Sequence, residues 1–470
     1  LGISVNRVSA FSWIAGSVLA GIAGLLVAES RQTLDISLLS TGFLVRGLAA
    51  ALVGGLTSLP GAIVGGIVVG VSESILSDLF QAQGVAEAVF FGLVLVILIF
   101  RPGGLFGARE ETEDTVAFIP TLRQLPVRLQ GSLADKGTRW LGIVIALELS
   151  LFSLVTGPKT NDILVDMVVF AMVGVSLTVL MGYTGQISLG HWGLVGVGAF
   201  AMAGLYTRVG VPYLIALPLT VLIGMVVSLM IGLPALRIRG LYLAVATLAF
   251  NLAAEFFIFR SNFVGGGSAG VRLDAPRLGP FDLDSPTNRP LFFFALLMLI
   301  LVIVVARNLG NSRTGRGFFG LRENEKAAAT FGVGLTWYKL VAFAVSGGMA
   351  ALAGAIYATG IGSVQSRQFN TALSLTLVAM VMIGGLGSIN GAILGAFVVF
   401  ALPDLVEFEN EWIVPIGTGI LLIVVLTRAR GGVAGLLQSA RGRAVDELDA
   451  IGGSPLQEPE PAPATSTAGG

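Results

Sequence analysis

The sequence predicts an all-α, polytopic membrane protein. Its 470 residues are 54% hydrophobic and only 12% charged, and the mean hydropathy is +0.88. A soluble domain carries about 25% charged residues, so this chain has too few charges to cover a water-facing surface. Glycine accounts for 64 residues, about twice the usual share, and many of these glycines lie in apolar runs, as in membrane helices that pack closely.

The composition argues against several classes of function. The 28 basic and 28 acidic residues cancel, so there is no bulk attraction to nucleic acid. The absence of cysteine excludes disulfides and thiolate metal sites. A single histidine, His191, argues against a histidine-based metal or general-base site. We therefore expect no metal or cofactor on this chain.

Fourteen apolar segments are candidates for membrane helices, each of which needs about 20 residues. They are 8–28, 40–56, 59–77, 85–100, 141–157, 163–181, 191–207, 213–231, 241–259, 291–306, 336–358, 372–386, 389–405 and 411–427. The pairs 40–56/59–77 and 372–386/389–405 are short. Each pair can be tilted, broken or re-entrant, which requires surrounding protein or a water-filled path.

The distribution of Lys and Arg predicts the orientation. With Leu1 inside, 19 basic residues fall inside and eight outside, and Arg46 lies within a segment. Both termini are then cytoplasmic. The longest external loop, 260–290, is a candidate docking surface for an external partner. Residues 108–139 are charged and polar and predict a cytoplasmic linker, whereas the Pro- and Ala-rich end of 441–470 predicts a disordered tail.

An internal repeat divides the chain. Residues 54–65 (GGLTSLPGAIVG) match residues 384–395 (GGLGSINGAILG) at eight of twelve positions, with a shift of 330. About 190 residues with six segments precede the second copy, and no counterpart precedes the first. We expect two related membrane domains in tandem, residues 1–107 lacking the front part and residues 140–440. Both copies enter from the same side, which makes the repeats parallel.

The segment 310–340 is predicted to be cytoplasmic. GRGFFGLRENEKAAATF combines good helix formers with mixed charge, which predicts one short surface helix with Gly332 as its C-terminal cap. Such a helix can contact a cytoplasmic partner, or it can be a solvated amphipathic loop.

Particular motifs make the resemblance to a family specific. The segment just described resembles the EAA-type coupling loop of ABC importer permeases at Gly315, Arg316, Arg322, Glu323, Asn324, Glu325, Ala328 and Gly332. GYTGQISLGHWGLVGVGAF (182–200), LPALRIRGLYLAVATLAF (233–250) and VMIGGLGSINGAILGAF (381–397) resemble the LivM-type branched-chain amino acid permeases. Residues 1–107 resemble the C-terminal third of the sister LivH-type permease. The chain thus resembles a LivH–LivM fusion whose LivH part is truncated at its N-terminus.

The resemblance implies a transport subunit and not an enzyme. It also implies an all-α fold of the transmembrane domain of LivH/LivM-type permeases, which resemble the ribose and vitamin B12 permeases. Its implied location is the bacterial inner membrane. Implied partners are an extracytoplasmic substrate-binding protein, two cytoplasmic ATPase subunits that bind ATP and Mg²⁺, the lipid bilayer and, as a further option, a second permease chain. The sequence lacks a G-x-x-x-x-G-K-[ST] motif, and GPKT at 157–160 has Pro158 where that loop needs glycine.

Between two predicted spans, GYTGQISLGH (182–191) interrupts helical propensity with three glycines. Its polar groups could line a translocation path or satisfy backbone groups freed by the break. For His191, packing and capping at a cytoplasmic turn is favoured over a role in the translocation path. The candidates for a path or a helix break are Tyr183, Thr184, Gln186, Ser188, His191, Gly384 and Gly385.

Ionisable residues within the predicted spans are few: Arg46, Glu73, Glu148, Asp166, Glu255 and Lys339. Most lie near segment ends, where snorkelling to the interface accounts for them. Arg46 and Glu73 could face a path or each other.

The implied substrate is a branched-chain or related hydrophobic amino acid. Urea, short amides or other small solutes are alternatives for the same machinery. An ion-coupled secondary transporter is a more distant alternative, because it would not explain the helical segment 315–332.

Overall fold

The computed structural model describes residues 4–31, 41–79, 148–406 and 413–436. Within these ranges it omits residues 56, 237–239, 275, 279–280, 284, 286 and 429–430, and outside them it describes residues 89, 92, 97 and 106 alone. The predicted linker 108–139, the tail 441–470 and nearly all of the predicted span 85–100 therefore lie outside the described residues.

The described chain is built almost entirely of apolar helices. The first three are α1 (Val5–Arg31), α2 (Thr41–Gly54) and α3 (Leu59–Leu79). The others are α4 (Pro158–Leu177), α5 (His191–Ala203), α6 (Tyr213–Ala235), α7 (Leu241–Ala253), α8 (Arg289–Asn311), α9 (Arg313–Glu323), α10 (Glu325–Thr330), α11 (Leu335–Ile361), α12 (Thr371–Gly384), α13 (Ile389–Ala396), α14 (Leu402–Val406) and α15 (Ile413–Arg428).

Eight helical stretches of the described chain are long and apolar enough to cross a bilayer. They are Arg7–Glu29, Leu59–Leu76, Pro158–Tyr183, Tyr213–Pro234, Leu241–Ile258, Arg289–Asn311, Leu335–Ile361 and Ile389–Val406. The prediction of an all-α polytopic membrane protein is confirmed. Four helices, α4, α5, α7 and α13, continue into a π-helical turn, a feature that often marks functional sites.

Helix α12 is too short to span a membrane. Its 14 residues extend about 21 Å, whereas the hydrocarbon core is about 30 Å thick. The chain reverses at Gly385, whose φ of 120° is open to glycine alone, and α13 begins at Ile389. The first member of the pair 372–386/389–405 is therefore not a full membrane span.

The two repeat copies contain helices with the same bounds. Helix α1 shifted by 330 residues becomes 335–361, which is α11, and α2 becomes 371–384, which is α12. The hairpins also pack alike: a Cβ built at Gly54 would lie 1.9 Å from Gly61 O, and one built at Gly384 would lie 2.0 Å from Gly391 O. The repeat is therefore structural as well as sequential, while the domain boundaries stay a prediction.

Helix α11 is the central helix of the region 140–440 and packs against α4, α5 and α6. Small residues allow the backbones to approach closely. A Cβ built at Gly198 of α5 would lie 2.1 Å from Ala351 O, and one built at Gly354 of α11 would lie 1.9 Å from Val195 O. The stretch 193–204 has small residues at three- and four-residue spacing, and it is a helix-packing face.

One end of the bundle carries four short strands: β1 (Val271–Arg272), β2 (Arg277–Leu278), β3 (Phe281–Asp282) and β4 (Ser363–Val364). Strand β1 pairs antiparallel with β4, and β2 pairs antiparallel with β3. The loop 260–290 therefore joins the C-terminal end of α11. The start of α4 lies at the same end, since Asn161 donates to Thr287 O at 2.8 Å.

Candidate functional site: the α9–α10 segment and the break between α4 and α5

The predicted surface helix of 315–332 is two helices, so the expectation of one helix is wrong. Asn324 has an extended backbone (φ −161°) between α9 and α10. Its side chain accepts a hydrogen bond from Ala327 N at 2.8 Å. This is an N-cap, a role that asparagine fills far better than it fills a helix interior. The break therefore follows from a residue type that was visible in the sequence.

Both outer ends of this pair of helices are capped. Ser312 Oγ accepts from Gly315 N at 3.1 Å before α9. After α10, Gly332 has φ of 80°, and Val333 N donates to Ala328 O at 3.1 Å. This pattern is a Schellman motif, which confirms the predicted cap at Gly332.

The segment presents one face inward and another outward. Gly315, Phe318 and Ala328 are buried, and a Cβ built at Gly315 would lie 2.3 Å from Gly310 O. Arg316 and Glu323 are exposed, as are Arg313, Lys326 and Phe331. The outward face thus combines charges with an exposed aromatic ring, a composition suited to contact with another protein.

The 182–191 break begins with the last two residues of the π-helical turn that continues α4, and residues 184–190 connect that turn to α5. Thr184 Oγ1 donates to Leu180 O at 2.6 Å, which satisfies a carbonyl freed by the helix end. Gly185 has φ of 71°, and a Cβ built there would lie 3.2 Å from Arg322 Cγ. Thr184, Gln186, Ser188 and His191 are all buried, and their role in a translocation path stays a prediction.

Arg322 joins the α9–α10 segment to this break. Its Nη1 donates to Gly182 O at 2.8 Å, and its Nη2 forms an ion pair with Glu323 Oε1 at 2.8 Å. The predicted residue Tyr183 packs nearby, with its ring 5.2 Å from that of Phe319. A guanidinium with fixed fork geometry can hold a carbonyl and a carboxylate together.

A second contact between the α9–α10 segment and the break is made at the start of α10. Glu325 Oε1 accepts from Gln186 Nε2 at 3.3 Å and pairs with Lys339 Nζ at 3.0 Å. The Lys339 side chain is 2% exposed, so the snorkelling interpretation is wrong for this residue. The signal that could have revealed this buried ion pair was the presence of Lys339 in an apolar segment, because a charge within a membrane helix is a functional hypothesis by default.

The repeated hairpin turn completes the site. A Cβ built at Gly182 would lie 2.6 Å from Gly387 Cα, so the α12–α13 turn lies directly against the end of α4. Gly384 contributes by its close approach to Gly391, and Gly385 by the reversal of the chain. The structure thus brings together three separately predicted elements: the α9–α10 segment, the 182–191 break and the 384–391 turn.

His191 is the centre of a buried polar cluster. Its Nε2 lies 2.8 Å from Ser176 Oγ and 2.9 Å from Ser346 Oγ, and its Nδ1 lies 3.1 Å from Ser188 Oγ. The hydroxyls of Ser176 and Ser346 each lie 3.0 Å from the other residue's carbonyl oxygen. If both donate there, Nε2 carries the ring proton and Nδ1 accepts from Ser188. The cluster ties α4, α5 and α11 together, consistent with the packing role.

The partially buried pair Arg46–Glu73 belongs to the first copy. Arg46 Nη2 lies 2.9 Å from Glu73 Oε1, between α2 and α3. Of the two alternatives, the one in which these residues face each other is confirmed.

Comparison with known proteins identifies the family. A family model described as "Branched-chain amino acid transport system / permease component" matches residues 1–99 and 160–427. The chain belongs to this family of ABC permeases.

Individual relatives agree with that assignment. The permease is 30% identical over 292 residues to the high-affinity branched-chain amino acid permease protein LivM of Salmonella typhimurium, covering 57% of this chain and 69% of LivM. It is 32% identical over 112 residues to LivH of the same organism, covering 35% of LivH. It is also 34% identical over 161 residues to the autoinducer 2 import permease LsrC of Yersinia pseudotuberculosis, covering 45% of LsrC.

No solved structure matches the permease. Members of this family are transport subunits of importers, not enzymes, and in such importers ATPase and binding-protein subunits accompany the permease. The permease is accordingly a multi-pass membrane protein, as the eight long apolar helices among its described residues require.

Proposed function

We propose that this permease translocates branched-chain amino acids inward, and that its α9–α10 segment is the contact for cytoplasmic ATPase subunits. The single observation that carries the proposal is the position of this segment. It presents an exposed charged face on one side, and on the other Arg322 and Glu325 bond to the 182–191 break. A force applied to the exposed face is therefore transmitted to the helix break through Arg322 and Glu325.

The orientation follows from the same arrangement. The basic residues of 307–339 lie at the end of the bundle opposite the strands of loop 260–290, which supports a cytoplasmic α9–α10 segment. Both termini would then be cytoplasmic. Two ATPase subunits would bind ATP and Mg²⁺, and a second permease chain could complete the assembly.

The opposite end offers a surface for the extracytoplasmic binding protein. Loop 260–290 and the end of α11 enclose an open cavity of about 700 Å³, lined by Arg272, Asp274, Asn288, Thr359 and Ser363, among others. Charged groups of both signs at this surface, Arg272 and Asp274, suit complementary contacts with another protein. Loop 260–290 is thus our candidate for the outer docking surface.

Branched-chain amino acids are the proposed substrates because the LivM and LivH relatives carry that description. Urea, short amides and other small solutes are the alternatives that the test must separate.

Uptake into proteoliposomes containing the permease, its ATPase subunits and its binding protein tests the proposal. We expect ATP-dependent uptake of leucine, isoleucine and valine in preference to urea or acetamide. We also expect Glu323→Lys, at an exposed position, to lower uptake at least about tenfold, which corresponds to about 1.4 kcal/mol, because it reverses a charge on the docking face. Arg322→Glu should do the same and also lose the bond to Gly182 O.

Membrane insertion and thermal stability of Glu323→Lys serve as the control and should match the wild type. Unchanged uptake and ATPase association in both variants would contradict the coupling role. A preference for urea or amides over leucine would overturn the substrate.

A further inference from the structure

Lys339 is the one charged side chain among the fully buried residues of the described chain. It lies in the second turn of α11, and its Nζ is 3.0 Å from Glu325 Oε1 of α10. Glu325 is itself only 11% exposed. The junction between the coupling segment and the central helix is therefore an ion pair removed from water.

Stability alone does not explain such a pair. Replacing both partners of a buried ion pair by apolar side chains is often neutral or stabilising, whereas removing one partner leaves an uncompensated charge. The role that is best attested for buried polar groups is to fix the register between two elements. Glu325 and Lys339 would accordingly fix where α10 sits on α11.

The same carboxylate oxygen reaches a third element. Gln186 Nε2 donates to Glu325 Oε1 at 3.3 Å, and Gln186 belongs to the break between α4 and α5. Oε1 is thus shared between α11 and the break. A displacement of α10 must move both neighbours with it or break one of the two contacts.

Helix α11 carries a second polar anchor on the same face. Ser346 follows Lys339 by seven residues, which is close to two helical turns, and its Oγ lies 2.9 Å from His191 Nε2 at the start of α5. One face of α11 therefore contacts the coupling segment at one level and the far side of the break two turns away.

We propose that Glu325, Lys339 and Gln186 form a joint that converts movement of the coupling segment into movement of the 182–191 break. These are positioning residues, and the inference rests on the proposed function. Arg322 holds the near side of the break at Gly182, and the joint holds its centre at Gln186.

The test uses the reconstituted complex and measures solute imported per ATP hydrolysed. The variants are Glu325→Leu, Lys339→Met and the double variant. Each single variant should lower the melting temperature. The double variant should recover it, because no charge is left unpaired, yet should still import about fivefold less solute per ATP, within the range measured for such couplings.

Gln186→Leu provides a second route that creates no buried charge. It should fold, retain ATPase association and lower solute per ATP, whereas Lys339→Arg, which keeps the ion pair, should restore coupling relative to Lys339→Met. Lys159→Met, the same change at an exposed position at the other end of the bundle, is the matched control and should leave coupling unchanged.

The two proposals fail in different ways. A wild-type complex without ATP-driven amino acid uptake would overturn the proposed function. A coupled wild type whose Gln186→Leu and Glu325→Leu/Lys339→Met variants import as much solute per ATP as the wild type would overturn the joint alone.

Discussion

The two copies of the repeat are alike in backbone and different in surroundings. Helices α1 and α2 have the lengths of α11 and α12. In the two hairpins, a Cβ built at Gly54 or Gly384 would lie 1.9 or 2.0 Å from a carbonyl oxygen. Yet Trp13 of α1 is 77% exposed, while its counterpart in α11, Phe343, is 1% exposed. The same helix is thus central in one copy and peripheral in the other.

The difference comes from the neighbouring helices. In the second copy, α4, α5 and α6 cover α11, and Gly198, Gly224 and Gly354 let the backbones meet. In the first copy, a Cβ at Gly16 or Gly21 of α1 would meet nothing among the described residues. The repeat therefore fixes helix bounds and turn chemistry, and the covering helices decide which face is buried.

The charged residues differ between copies as well. Lys339 and Ser346, which anchor the coupling segment and the His191 cluster, correspond to Ser9 and Gly16. Conversely, the Arg46–Glu73 pair corresponds to Thr376 and Pro403. Each copy thus carries its own polar contacts on a shared apolar frame.

The largest contrast should appear at equivalent positions 351 and 21. Ala351→Leu would force a bulky side chain between α11 and α6, where a Cβ built at Gly224 already lies 2.2 Å from Ala351 Cβ. We expect a loss of about 3 kcal/mol or more, at the upper end for overpacking. Gly21→Leu, at an open position in the middle of α1, should cause no loss and should gain up to about 1 kcal/mol from helix propensity.

Thermal unfolding in detergent measures both variants. Equal losses at the two positions would break the comparison, because α1 would then be covered by helices that the structure does not describe.

The hairpin glycines should give a smaller contrast. Gly384→Ala places a Cβ 2.0 Å from Gly391 O, and the hairpin cannot open freely because Met380 and Ala392 press on Gly174 of α4. We expect a loss of about 2 kcal/mol. Gly54→Ala makes the same clash, but α3 exposes Ile63 and Ile67, so its hairpin can yield and should lose about half as much.

Gly70→Ala is the matched control for that series. It lies in α3 with open space around it and should gain up to about 1 kcal/mol from helix propensity. A Gly54→Ala loss equal to or greater than the Gly384→Ala loss would contradict the account of the two environments.

Much of this architecture was readable from the sequence. The apolar segments predicted most of the helices, and the repeated GGL…GAI motif predicted that two parts of the chain are related. The helix boundary at Asn324 was harder to predict. Asn324 ends α9 by capping α10, and the helix formers on either side conceal this boundary in the sequence. The joint was missed because it depends on the distance between Glu325, Lys339 and Gln186, which lie on three elements separated by up to about 150 residues.

The contact between the α9–α10 segment and the ATPase is the central claim, and cross-linking tests it most directly. The sequence contains no cysteine, so Phe331→Cys and Phe263→Cys each introduce a single thiol, at positions that are 88% and 89% exposed at opposite ends of the bundle. With a thiol-anchored photocross-linker in the assembled complex, Cys at 331 should capture an ATPase subunit and Cys at 263 should not. Capture of the ATPase from 263, or from neither position in a complex that transports, would contradict the account.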